Sequence, residues 1–186
     1  MYYSQLVKTA CTILFQAHKD DLDKGGYPYV FHPFYLATQM DDEASTCVAL
    51  LHDVIEDTNL THADIARQFG EPVADIVEGV TKLTRVQYTS KEDEQMENLR
   101  KMLMAMAKDI RVILIKMADR LHNMRTMAYQ SEEKQRIKSL ETMEIYAPIA
   151  HRLGMQKIKW ELEDLSLLYL CLLYTSPSPR DTERSR

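Results

Sequence analysis

Few cysteines, no long apolar run and no excess of positive charge mark this sequence of 186 residues. Its three cysteines, Cys11, Cys47 and Cys171, lack the spacing of a zinc site or a disulfide framework. No uninterrupted apolar stretch reaches the roughly 18–20 residues that a membrane helix needs, and no signal-peptide pattern precedes the first helix. A net charge of -5 argues against a general nucleic-acid binder. We therefore expect a protein of the reducing cytoplasm that binds neither membrane nor nucleic acid.

Strand signals are missing as well, because no alternating β-branched run is bounded by turns. Helical periodicity fills the chain instead. A first helix is predicted to end near His18, and a second to begin at 32–33. A third, capped by Asp41 or Asp42, carries the stretch LLHDVIED. Further helices are predicted over 62–69, 72–81, 94–107, 110–127, 131–149 and 155–169. With 45% hydrophobic residues, this pattern predicts one all-α helical bundle over residues 1–170.

The last stretch, CLLYTSPSPRDTERSR, differs from the rest of the chain. It carries two prolines, several Ser, Thr and Arg residues, and no apolar period. We expect residues 171–186 to be either a disordered tail or a non-native segment of the adaptor or vector type.

Four ionisable residues are the candidates for a metal site: His32, His52, Asp53 and Asp119. His52 and Asp53 are adjacent inside an apolar helical stretch, where unpaired charges are costly. A cation shared by all four side chains would offset that cost. Two imidazoles and two carboxylates favour Mn²⁺, Fe²⁺ or Zn²⁺ over Ca²⁺ or a thiolate-bound metal.

Two further carboxylates follow one turn later. On a continuous helix Glu56 projects from the same face as His52, and Asp57 comes next. Carboxylates beside a metal can serve as base and proton relay for an attacking water.

Other polar residues have two interpretations each. Asp119, Asn123 and Thr126 form one stripe of a helix, which suits either substrate contacts or hydrogen bonds within the helix. Asp119 could also pair with Arg120 or Lys116. Among the remaining histidines, His18, His62 and His151 are expected to be structural, while His122 stays open.

Five long motifs in a fixed order carry a family resemblance: YPYVFHP, ALLHDVIEDT, GVTKLTR, LIKMADRLHNMRT and IYAPIAHRLGMQKIKWELEDLS. They resemble the N-terminal half of RelA/SpoT-type alarmone enzymes over residues 1–170. The resemblance implies an HD-domain fold and a Mn²⁺-dependent hydrolase that removes the 3′-pyrophosphate from (p)ppGpp. It also implies that residues 147–170 link this domain to a synthetase domain, which is absent here. The chain would then be the N-terminal fragment of a bifunctional synthetase/hydrolase.

The resemblance implies roles for individual residues. His32, His52, Asp53 and Asp119 would be the Mn²⁺ ligands, Glu56 and Asp57 would activate the water, and Asn123, Thr126 and Tyr146 would contact the nucleotide. By their charge, Lys24 and Lys116 are further candidates for binding the substrate's phosphates.

One loop departs from the family pattern. In AHKDDLDKGGYPY, Asp23 stands where an arginine is expected and Gly25 where a serine is expected. An aspartate near a polyphosphate repels it, so two alternatives stay open. The chain could be an HD phosphohydrolase acting on another nucleotide, or a non-catalytic module that only binds a nucleotide.

Overall fold

The computed structural model describes residues 3–81, 100, 104 and 108–175. Within these ranges the backbone is helical, and one isolated bridge between Leu22 and Pro28 is the sole β-type pairing. The prediction of an all-α fold is confirmed for this part of the chain. None of its helices combines the length and the apolar character that crossing a membrane requires.

The helices follow in this order: α1 Gln5–Ala17, α2 Phe31–Thr38, α3 Glu43–Leu51, α4 Val54–Asp57, α5 His62–Phe69, α6 Glu71–Thr81, α7 Ile110–Arg125, α8 Glu132–Glu141, α9 Ala147–Arg152 and α10 Gln156–Thr175. A 3₁₀ turn, Met127–Tyr129, follows α7, and a π-helical turn, Thr142–Tyr146, joins α8 to α9.

Local capping signals in the sequence set several boundaries. The Asp42 carboxylate accepts the Ser45 backbone N–H at 2.9 Å and begins α3. Thr61 and Asp64 form a capping box at the start of α5. Gly70, at a φ of 87°, ends α5 in a conformation that suits glycine. The predicted helices 62–69 and 72–81 are confirmed to within one residue.

Two predictions of helical extent are wrong. The stretch LLHDVIED is not one helix, because α3 ends at Leu51 and α4 begins at Val54. Helix α10 runs to Thr175, so residues 171–175 are helical, since no proline interrupts the chain before Pro177. The predicted helix over 94–107 and the tail 176–186 fall largely or wholly outside the described residues.

The chain divides into two compact units, Met1–Asp119 and Arg120–Arg186, with the boundary inside α7. In the first unit, α3 is the central helix, since it packs on α1, α2 and α6. Every α3 residue from Ser45 to Leu51 is buried, as expected for a helix surrounded by others. The core around it includes Leu14, Leu36, Val48, Leu50, Val77 and Ile115.

The second unit packs α10 against α8 and α9. Leu162 and Ser166 are buried on one side of α10, and the Ser166 hydroxyl donates to the Leu162 carbonyl oxygen at 2.7 Å. Leu167 and Leu168 are about half exposed, at 48% and 50%. These two leucines therefore leave apolar surface exposed on α10, while Tyr169 is buried.

Replacing Leu50 by Ala tests the central position of α3. Leu50 is fully buried, so we expect Leu50→Ala to lower the free energy of unfolding by about 3 kcal/mol. Urea denaturation followed by circular dichroism measures the loss. Leu22→Ala is the matched control, because that side chain is 65% exposed, and an equal loss in both variants would contradict the assignment.

Candidate metal centre

The HD dipeptide occupies the turn between α3 and α4. In an unbroken helix the Ala49 carbonyl oxygen would accept the backbone N–H of Asp53. Here the His52 imidazole Nδ1 lies 2.8 Å from that carbonyl oxygen. The side chain thus bonds to the acceptor that would continue the helix, and the helix breaks at this point.

This contact also decides which ring nitrogen of His52 can bind a metal. A carbonyl oxygen only accepts hydrogen bonds, so Nδ1 must carry the proton. In the neutral ring Nε2 then holds the lone pair, as in many metal-bound histidines whose other nitrogen is held by a backbone oxygen. His52 is 1% exposed, and its Nε2 has no hydrogen-bond partner among the described residues.

Three side chains converge at this turn. One donor atom each from His32, His52 and Asp53 lies within 4.8 Å of the others. The His52 Nε2 is 2.8 Å from Asp53 Oδ2, yet the approach lacks the alignment of a hydrogen bond. Donor atoms that approach one another without being aligned as donor and acceptor suit a shared cation. The buried nitrogen and the mixed N/O donor set therefore fit a divalent metal.

Asp119 of α7 completes this group on the side of His32. Its Oδ1 lies 3.3 Å from His32 Nε2, and its Oδ2 lies 3.5 Å from Lys116 Nζ. Pairing with Lys116 was one of the alternatives for Asp119, so the carboxylate serves both the candidate site and an ion pair. The four predicted ligands thus lie in one continuous chain of contacts within the first unit, and their role as ligands stays a prediction.

The site is electrostatically prepared for a cation. Burial alone would raise the pKa of Asp53, but the charge of His52 lowers it to about 2. Burial also opposes ionisation of Asp119, and the Lys116 charge nevertheless holds its pKa far below the ordinary value. Burial disfavours the charged form of His52, yet the Asp53 charge raises its pKa. A metal would therefore meet ionised carboxylates, and its binding to His52 would compete with protonation of the ring.

Two residues without an assigned role hold this turn in place. The Tyr29 hydroxyl donates to Asp53 Oδ2, and burial together with the Asp53 charge raises the Tyr29 pKa. The Thr81 hydroxyl lies 3.2 Å from the His52 carbonyl oxygen. Both residues belong to the quoted motifs YPYVFHP and GVTKLTR, which are the signal that could have found them. Such supporting contacts fix the orientation of metal ligands.

Glu56 and Asp57 lie in α4, directly after the turn. Their backbone N–H groups donate to the Asp53 carbonyl oxygen at 2.9 and 3.0 Å. Burial, and next the Asp53 charge, raise the pKa of Asp57, which suits a proton acceptor better than an ordinary aspartate. Glu56 is partly buried, and its role as base stays a prediction, as does that of Asp57.

The loop that precedes α2 gives Asp23 a structural role. Its Oδ1 accepts the backbone N–H groups of Gly25 at 2.8 Å and Tyr27 at 2.9 Å. Gly26 has a φ of 83°, which glycine tolerates readily. Asp23 therefore shapes the turn that carries the exposed Lys24. The expected repulsion between Asp23 and the phosphates of a substrate stays a prediction.

The remaining substrate candidates belong to the second unit. Asn123 is exposed on α7, and the Thr126 hydroxyl donates to the His122 carbonyl oxygen at 3.1 Å. Tyr146 is buried, with the Arg120 guanidinium 4.0 Å from its ring centroid. Arg120 in turn donates to Glu141 Oε1 at 2.8 Å. Tyr146 thus has a packing role here, and its contact with a nucleotide stays a prediction.

A second group of possible donors lies on the surface of the first unit. His62 Nε2 is 2.9 Å from Asp75 Oδ1 and 3.8 Å from Glu71 Oε2. Both carboxylates are at least 70% exposed, and the His62–Asp75 contact is an aligned hydrogen bond. This group is satisfied without a metal, and it supplies a control for the buried site.

Comparison with protein families identifies the domain. A family model described as HD domain matches residues 10–156. The chain belongs to the HD-domain family. The family takes its name from a His-Asp dipeptide, which here is His52–Asp53. The predicted HD-type helical bundle is confirmed.

Curated relatives of this HD domain are close in sequence and much longer. A protein of Synechocystis sp., named probable guanosine-3′,5′-bis(diphosphate) 3′-pyrophosphohydrolase, is 48% identical over 89% of this chain and 22% of its own length. A GTP pyrophosphokinase of Myxococcus xanthus is 49% identical over 89% of this chain and 23% of its own. The bifunctional (p)ppGpp synthase/hydrolase SpoT of Escherichia coli K12 is 48% identical over 86% of this chain and 23% of its own length. The resemblance to RelA/SpoT-type enzymes is confirmed, and the chain spans less than a quarter of these relatives.

A solved structure shares the fold of this HD domain. It is a metazoan ortholog of SpoT, described as hydrolysing ppGpp and acting in starvation responses. It matches with a TM-score of 0.63 and 23% identity, over 89% of this chain and 96% of that one. At this identity the likeness shows the fold alone.

Removal of Asp119 tests the metal site. We expect Asp119→Ala to weaken Mn²⁺ binding at least as much as the roughly 10–100-fold typical for loss of an outer-shell partner, because a buried carboxylate near the donors is lost. Isothermal titration calorimetry with Mn²⁺ measures the affinity. His62→Ala should bind Mn²⁺ like the unaltered protein, and unchanged affinity in Asp119→Ala would exclude it from the site.

The Asp23 loop can be tested with two substitutions. Asp23→Ala removes the acceptor of two backbone N–H groups, so we expect a loss of about 1–2 kcal/mol in the free energy of unfolding. Asp23→Asn keeps an Oδ1 acceptor and should lose much less. Thermal and urea unfolding compare the two, and equal stability of both variants would show that these hydrogen bonds do not hold the loop.

Proposed function

We propose that this HD domain hydrolyses the 3′-pyrophosphate bond of (p)ppGpp, giving GDP or GTP and pyrophosphate, with Mn²⁺ as its metal. The observation that carries the proposal is the convergence of His32, His52 and Asp53, whose donor atoms lie within 4.8 Å. The buried His52 Nε2 adds to it, because it lies 2.8 Å from Asp53 Oδ2 without the alignment of a hydrogen bond, and a shared cation would bind both atoms.

Different residues of the protein bind the cation and accept the proton in this reaction. His32, His52, Asp53 and Asp119 hold the cation. When bound, a divalent cation lowers the pKa of a coordinated water and neutralises charge on a phosphate. Glu56 or Asp57 accepts a proton from the attacking water. A bond forms between the water oxygen and the phosphorus on the 3′-oxygen, the bond from that phosphorus to the 3′-oxygen breaks, and the 3′-oxygen takes up a proton.

The donor set supports Mn²⁺ among the possible metals. Imidazole and carboxylate donors together are typical of Mn²⁺, Fe²⁺ and Zn²⁺, whereas Ca²⁺ prefers oxygen donors alone. The family resemblance then favours Mn²⁺ within this group. No thiolate belongs to the candidate site, since its described donors are two histidines and two aspartates.

Five residues are proposed as substrate contacts, two from the first unit and three from the second. Lys24 is exposed on the loop that Asp23 holds, where its ammonium group can meet a phosphate. Lys116 lies beside Asp119 and could serve the phosphates next to the metal. We assign the nucleotide to Asn123, Thr126 and Tyr146 on the strength of the resemblance.

The relatives support both the substrate and a larger assembly. Two of the named relatives carry (p)ppGpp hydrolysis in their names, and a third is named GTP pyrophosphokinase. All of them are more than four times as long as their match to this chain. We therefore propose that this domain is the hydrolase part of a longer bifunctional protein, in which residues 147–170 lead to a synthetase domain.

One assay separates this function from its alternatives. The purified chain is incubated with Mn²⁺ and ppGpp, and pyrophosphate release is followed over time. Release that disappears in Asp53→Ala supports the proposal. Turnover of other nucleotides without ppGpp turnover would instead support a different HD phosphohydrolase, and tight ppGpp binding without turnover would support a binding module.

The role of Glu56 can be separated from metal binding. Glu56→Gln keeps the shape of the side chain and removes its basicity, so we expect kcat to fall by about 100-fold or more while Mn²⁺ affinity is unchanged. Pyrophosphate release gives kcat, and calorimetry gives the affinity. Loss of Mn²⁺ binding in Glu56→Gln would make Glu56 a ligand rather than a base.

A further inference from the structure

His18 is a buried histidine beside the candidate centre that the proposed reaction does not yet use. It follows the last residue of α1 and is 2% exposed. Its Nδ1 lies 2.9 Å from Asp21 Oδ2, and the Asp21 carboxylate is 58% exposed. Because a carboxylate accepts hydrogen bonds, this contact places the proton of the ring on Nδ1.

The other ring nitrogen is left without a hydrogen bond. His18 Nε2 is buried and has no hydrogen-bond partner among the described residues. It faces Asp57, whose Oδ2 lies 4.0 Å away. Buried polar atoms without partners are rare and need an explanation. A shift of about 1 Å would bring this pair into hydrogen-bond range.

We infer that His18 is a positioning residue that holds the Asp57 carboxylate in the orientation needed for proton transfer. The inference rests on the proposed function, in which Glu56 or Asp57 takes the proton of the attacking water. One hydrogen bond can form in either protonation state. An imidazolium donates to the carboxylate, and a neutral Nε2 accepts from the carboxylic acid.

Asp57 needs such a partner more than an interior residue would. It is the last residue of a four-residue helix, and its side chain is 49% exposed. An exposed side chain samples several rotamers, whereas a base must be held close to the proton that it takes. His18 is immobile by comparison, since it is buried and anchored to Asp21.

Tyr29 connects His18 to the metal ligands. The His18 and Tyr29 rings lie with centroids 4.8 Å apart and planes tilted by 51°. The same Tyr29 donates its hydroxyl hydrogen to Asp53. One aromatic side chain thus contacts both the ring that faces Asp57 and a predicted ligand. His18 therefore has a defined position relative to the candidate centre.

The test combines two single substitutions with their double variant in the pyrophosphate-release assay. We expect His18→Ala to lower kcat by about 10–100-fold, in the range of lost supporting contacts at metal sites, with KM and Mn²⁺ affinity unchanged. In an Asp57→Ala background, His18→Ala should have no further effect, because His18 acts through Asp57. Added imidazole should restore part of kcat in His18→Ala.

His62→Ala is the matched control. His62 also lies 2.9 Å from an aspartate oxygen, but it belongs to the surface group with Glu71 and Asp75, away from the candidate metal centre. Its kcat should equal that of the unaltered chain. His18→Gln offers a second variant if the Ala side chain unfolds the protein, and its kcat should fall less. Unchanged kcat in His18→Ala, or an equal further loss in the Asp57→Ala background, would overturn the inference.

A spectroscopic measurement keeps the inference separate from the proposed function. In ¹⁵N-labelled protein with Mg²⁺ in place of paramagnetic Mn²⁺, Asp57→Asn should shift the His18 Nε2 resonance, and Asp75→Asn should shift that of His62 alone. An unaltered chain without ppGpp hydrolysis refutes the proposed function. If the His18 Nε2 chemical shift does not change in Asp57→Asn, the contact between the two residues is refuted, whether or not the chain hydrolyses ppGpp.

Discussion

Ionisable side chains are buried at the end of α3, and the contacts around them organise the first compact unit. The helix is enclosed on all sides and delivers His52 into the interior, where a charge without a partner is strongly destabilising. Asp53 and Asp119 face the same problem, and each carboxylate stays ionised because a positive group lies beside it. The protein thus gathers opposite charges at one turn, and this mixed N/O donor set fits a divalent cation.

The surrounding helices hold that turn from several directions. The Ala49 carbonyl oxygen orients the His52 ring, the Tyr29 hydroxyl holds Asp53, and the Thr81 hydroxyl contacts the His52 backbone. These contacts come from α3, the loop before α2 and the end of α6. Positions set by several packed elements are more exact than positions on one loop. Such rigidity is what a metal-dependent hydrolase needs, because the attacking water must be held near the phosphorus.

The two compact units contribute different parts of the proposed activity. All four predicted metal ligands and both predicted bases lie in Met1–Asp119. Asn123, Thr126 and Tyr146, the proposed nucleotide contacts, lie in Arg120–Arg186. The candidate metal donors therefore belong to the first unit alone, and the proposed nucleotide contacts belong to the second. The curated relatives are more than four times as long as their match to this chain.

The helical class and the capping of α3 and α5 were predictable from the amino-acid sequence, and so was the set of candidate metal ligands, whose role stays a prediction. Those features depend on neighbours a few residues apart, such as Asp42 with Ser45 or Thr61 with Asp64, or on long motifs read in order. The turn at His52, the loop held by Asp23 and the approach of His18 to Asp57 became visible only in the folded chain. Each of these features depends on which hydrogen-bond partner a polar side chain contacts after the helices have packed. Hydrophobic periodicity along the chain carries no information about that partner.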